Sequence, residues 1–186
     1  MELRLILSDN VGGKMSKYIK IKDNRENLDE LLDKIEKLEN MEVRVGVFKE
    51  DGEDLLMIAR VHEYGAQIKV TQKMRDYLHY IGLHLKATTT EINIPERSYI
   101  RSTVDDNKKI IKKDIGLMLK KYLTTNRKFK HFTSEVGNYL TNITQKQLMD
   151  LHSPKLHPFT VQKKGQDNPL LETGELVNQI TYKVVM

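Results

Sequence analysis

Cysteine is absent from the 186 residues, and so is tryptophan. The first absence removes disulfides, thiolate metal sites and a cysteine nucleophile at once, and it suits a reducing bacterial cytoplasm. The second, with only four phenylalanines, argues against a large aromatic core. Long apolar runs are missing too, since none approaches the roughly 20 residues of a membrane-spanning helix. The stretch from Met1 to Leu7 carries Glu2 and Arg4 and lacks the apolar run of a signal peptide. No membrane contact is expected. Neither charge sign dominates: 31 basic residues stand against 26 acidic ones, a net charge of +5. That is a mixed surface rather than the polarised one of a dedicated nucleic-acid binder.

A hydrophobic fraction of 39% beside 31% charged residues lies on the polar side of globular composition, so neighbouring subunits are expected to cover part of the apolar surface. The length fits one compact domain over residues 1–186. Turn-forming residues from Ser8 to Lys14 place a hairpin between Glu2–Leu7 and Tyr18–Ile21. Leu28, Leu31, Leu32, Ile35 and Leu38 follow the spacing of one helix face. Val43, Val45 and Val47 alternate as one face of a strand, and a helix over Asp54–Tyr64 stops at Gly65. Within residues 66–93 Thr71 caps a short helix carrying Met74 and Tyr77. So much exposed Tyr, Leu and Met marks either a contact surface or a mini-helix that covers the main sheet. Asp105–Leu123 and Thr133–Leu151 predict an antiparallel helix pair, and the proline-rich residues 153–169 predict an extended loop. A final strand, Ile180–Val185, ties down the end of the chain. The expected class is α+β: a mainly antiparallel sheet of about four strands, namely Tyr18–Ile21, Val43–Phe48, the region around Ile92 and Ile180–Val185, packed by three to four helices.

Chemical signatures fail one by one. His62-Glu63 opens a zinc-protease run, but Ala66 stands where the second histidine belongs. Asn10 to Ser16 imitates a phosphate loop, yet Met15 replaces the Ser/Thr after the lysine and the leading glycine is missing. His131, His152 and His157 have no carboxylates at ligand spacing, and neither Ser98 nor Ser102 sits in a nucleophile elbow. No catalytic, metal or cofactor residues are assigned, and no enzyme activity is expected.

Three short runs remain: Val61-His62-Glu63-Tyr64-Gly65; Ile94-Pro95-Glu96-Arg97-Ser98-Tyr99-Ile100-Arg101; and Pro169-Leu170-Leu171-Glu172-Thr173-Gly174-Glu175-Leu176 before the last strand. In the second, Pro95 and Glu96 read as a helix start. In the third, Thr173 reads as the cap of a short helix. Their order, over roughly residues 41–186, resembles the tail-completion and minor head–tail joining proteins of tailed bacteriophages and prophages, the phage virion morphogenesis or neck group. The resemblance implies a virion protein assembled in the bacterial cytoplasm, without catalysis. It also implies that residues 66–93 are an insertion, and self-association into a hexameric ring that meets the head connector or the tail terminator and tail tube; the lysine-rich helix face allows non-specific contact with DNA in the channel. A tail terminator ring and a basic DNA-binding accessory protein are the alternatives.

Candidate interface residues are Arg97, Arg101, Tyr77, Met74, Lys112 and Lys113. The two arginines, four apart, can bridge carboxylates or carbonyls across an interface, or internally with Glu96 or Glu63. The lysine face of the first of the paired helices faces either solvent, DNA, or the acids Asp29, Glu30, Asp33 and Glu36 across a subunit boundary.

Overall fold

The computed structural model describes residues 3–5, 19–21, 25–164 and 174–186. Contacts divide the chain into two compact units, Met1–Asn40 and Met41–Met186, a finer division than the one domain expected. The second unit begins where the resemblance begins.

In the first unit, strands β1 (Leu3–Leu5) and β2 (Ile19–Ile21) pair antiparallel, with Leu3 opposite Ile21. The two strands expected to pair do so, and the residues between them lie outside the described set. Helix α1 (Arg25–Glu39) follows. Its lysines are neutralised within the helix, Lys34 by Glu30 at 2.7 Å and Lys37 by Asp33 at 2.5 Å.

The second unit is α+β. Strand β3 (Glu42–Gly46) pairs antiparallel with the last strand, β6 (Thr181–Val185), Val43 opposite Val184 and Val45 opposite Tyr182. A 3-10 turn (Lys49–Asp51) leads into α2 (Glu53–Tyr64), which Gly65 ends at φ 71°. Then come β4 (Ala66–Lys69), α3 (Gln72–Tyr80) and β5 (Glu91–Ile94), with β4 and β5 paired antiparallel, Ala66 opposite Ile94. Helices α4 (Ile100–Thr124) and α5 (Phe129–Met149) follow, then α6 (Pro158–Lys164) and α7 (Glu175–Gln179).

The class holds, but the strands form pairs instead of one four-stranded sheet. The reason is local. β2 meets β1, and β4 and β5 meet each other on either side of α3, so β3 and β6 are left as a pair. The expected loop over 153–169 also needs correction. Pro158 opens α6, the first-turn position where proline loses no hydrogen bond; residues 165–169 lie outside the described set.

Helices α4 and α5 run antiparallel: Tyr122 stacks on Phe132 near their short connection, ring centroids 4.9 Å apart, and Gln147 donates to Ser102 at the far end. Helix α5 also supports β6. A Cβ on Gly137 would stand 2.3 Å from the Tyr182 ring, so glycine is what allows the strand its close seat. The core gathers Ala59, Tyr99, Leu148, Leu176 and Ile180, with Val45 and Val47 packed against it. Residues from all three runs, or one turn before them, therefore bury together.

Candidate functional site

Helix α4 begins at Ile100, five residues after Pro95, and its N-cap Tyr99 offers no capping side chain. The first N–H groups of a helix lack partners within it, and at a buried helix start that shortfall must be made good from elsewhere. Glu63, in the last turn of α2, does so. One carboxylate oxygen, Oε2, accepts from the N–H groups of Tyr99 and Ile100, each at 3.0 Å. The other, Oε1, accepts from Arg101 N–H at 3.0 Å, Ser98 Oγ at 2.6 Å and Arg101 Nε at 3.1 Å. A negative charge at the positive end of a 25-residue helix adds a favourable dipole term.

Glu63 is 4% exposed. Burial pushes its carboxyl up, but the Ser98 hydroxyl and the three backbone N–H groups outweigh it and hold the group below the usual carboxylate range. Burial, and secondarily the charge of Glu63, pushes the Tyr99 phenol well up. Tyr99 is fully enclosed, and its hydroxyl has no hydrogen-bond partner among the described residues.

The arginines complete the junction from inside the chain. Arg101 Nη2 donates to the Glu63 carbonyl at 2.5 Å and to Glu96 Oε1 at 2.8 Å, and its guanidinium lies 4.9 Å from the Tyr64 ring centroid. Arg97 is 5% exposed. Its N–H donates to the His62 carbonyl at 2.7 Å, and its guanidinium donates to the carbonyls of Pro154 at 3.0 Å and Lys155 at 3.4 Å. Burial pulls the Arg97 guanidinium down from its ordinary value. Arg101 therefore makes the expected internal bridges to Glu63 and Glu96, whereas the Arg97 guanidinium reaches backbone carbonyls of its own chain and neither acid. Gly65 closes the joint: a Cβ there would meet the Ile94 carbonyl oxygen at 2.8 Å.

The other expected residues lie elsewhere. Tyr77, 60% exposed, and the half-buried Met74 are on α3; Lys112 and Lys113 are exposed on α4. Helix α3 has no buried residue. Thr71 caps it as expected, accepting the Met74 N–H at 3.2 Å. Arg75 then clamps it to the following loop through the carbonyls of Lys86 at 2.9 Å and Thr89 at 2.7 Å.

Two readings of the runs are corrected. Pro95 and Glu96 do not start α4; Glu96 serves Arg101 instead, and the acid at the helix start comes from Glu63, 36 residues before Tyr99. Thr173 lies outside the described residues, and Gly174, at φ 73°, occupies the cap position of α7. Among the described residues no three His, Asp or Glu side chains gather as a metal site. The capping role of Glu63 has no local sequence signal beyond an acid placed before a glycine stop.

Compared with family models, with curated proteins and with solved structures, the chain matches none.

Proposed function

We propose that this chain is a structural subunit of a tailed phage or a phage-derived particle, forming a ring at the head–tail junction. Its work is binding: one surface meets its own neighbours head to tail, and another meets the head connector or the tail. The observation that supports this is the convergence of the three runs. Glu63 of the first caps the helix that the second opens, and Leu176 of the third packs in the core with Tyr99 of the second. Residues so far apart, tied into one joint by a buried carboxylate and two internally bridged arginines, make a rigid frame rather than a reactive site. Such a frame leaves the exposed faces of α3 and α4 for partners.

The test is a particle lacking this chain. Deleting its coding sequence from the producing genome is expected to give complete heads and complete tails that stay unjoined, with joining restored when the chain is supplied separately. Intact, infectious particles from the deletion strain would overturn the proposal.

A further inference from the structure

Helices α1 and α4 handle charge in opposite ways. The lysines of α1 are paired within the helix. On α4 two of the three acids bond to α5: Asp106 accepts from Gln147 at 3.1 Å and Asp114 from the Tyr139 hydroxyl at 2.9 Å. Its exposed side carries Lys113 and Lys121, and alternating with them along the helix stand Ile110 and Leu117, two turns apart and 56% and 58% exposed. A phosphate backbone would use the lysines and gain nothing from two aliphatic side chains in the open. An acidic amphipathic helix uses both.

Helix α1 has that chemistry. Leu28, Leu32 and Ile35 are 55%, 54% and 37% exposed, and Asp29 and Glu36 stand exposed beside them. Leu28 to Ile35 spans the same two turns as Ile110 to Leu117, about 10.5 Å. We propose that α1 of one copy docks its Leu28–Leu32–Ile35 stripe onto the Ile110–Leu117 face of α4 in a second copy, setting Asp29 and Glu36 against Lys113 and Lys121. Each copy then offers both halves of the contact, so the interface is heterologous and passes from copy to copy. Closure of that series into a ring rests on the function proposed above; the pairwise contact does not.

The absence of cysteine makes the test direct. Two differently tagged chains, one Leu32→Cys and one Leu117→Cys, are mixed and mildly oxidised. The expected product is a reducible dimer carrying both tags, and a Lys73→Cys partner on α3 in place of Leu117→Cys should not give it. Absence of the mixed dimer, or a disulfide closing only within a chain that carries both cysteines, would overturn the proposal. Lys113→Glu with Lys121→Glu is expected to weaken self-association about tenfold, with recovery when Asp29→Lys and Glu36→Lys are added. Failure to recover in a chain that melts normally counts against it. So does a reversal that abolishes binding to a short DNA duplex and leaves self-association intact. A mixed dimer from a chain absent from particle necks would keep this contact and discard the ring at the neck; a neck ring without the cross-link would do the reverse.

Discussion

The joint around Glu63 and the lobe it carries, β4–α3–β5, are held together on opposite terms. In the joint a buried carboxylate accepts five hydrogen bonds beside a buried guanidinium, that of Arg97. In the lobe α3 buries nothing, Tyr77 and Tyr80 are 60% and 87% exposed, and a half-exposed network from Arg75 to loop carbonyls does the holding. The difference teaches where to look for each kind of residue. The buried joint is built from residues far apart in sequence, whereas the exposed tyrosines of α3 stand on one short helix.

Breaking the joint should have the largest effect. Glu63→Ala leaves the N–H groups of Tyr99, Ile100 and Arg101 without their acceptor, and should cost at least about 1–3 kcal/mol, the range for a buried donor left unsatisfied, measured by urea denaturation. The same carboxylate predicts a pH signature. Its hydrogen bonds hold the folded pKa below that of an ordinary glutamate, so its contribution is complete above the ordinary value and is lost as pH falls through the folded pKa. Glu63→Gln should therefore show a flatter acid limb than the parent; an unchanged limb would mean that Glu63 does not carry the cap. In the lobe, Thr71→Ala should cost about 1 kcal/mol, an ordinary N-cap loss, and hydrogen exchange should show it confined to α3. Tyr99→Phe removes a buried hydroxyl without a described partner and should be neutral or stabilising by up to about 1 kcal/mol; a clear loss would reveal an acceptor for that hydroxyl. Smallest for stability is Tyr77→Ser with Tyr80→Ser, within about 0.5 kcal/mol, yet the pair should lower the yield of joined particles.

Much of the architecture was legible because its signals are local. The face of Ile111, Ile115, Met118, Leu119 and Tyr122 turns inward on α4, Thr71 caps α3 and Gly65 ends α2, each announced within a few residues of itself. What escaped reading was pairing across distance. Nothing near Ile94 tells that its strand returns to Ala66, and nothing near Tyr99 tells that its helix is capped by Glu63. The α6 helix was hidden because the prolines around it read as loop, although Pro158 sits where a helix accepts proline. For the site, the arginines were legible as a pair and Glu63 as one possible partner, which holds for Arg101; that Glu63 caps a helix, and that Arg97 reaches the carbonyls of Pro154 and Lys155, had no local signal.

The most direct measurement is electron cryomicroscopy of complete particles from the producing strain, with this chain fitted to the density between head and tail. A closed ring of copies at that junction, each with the Glu63 joint inside its subunit and the α3 and α4 faces turned towards neighbours, is the predicted result. Complete particles whose junction contains no copy of this chain would contradict it.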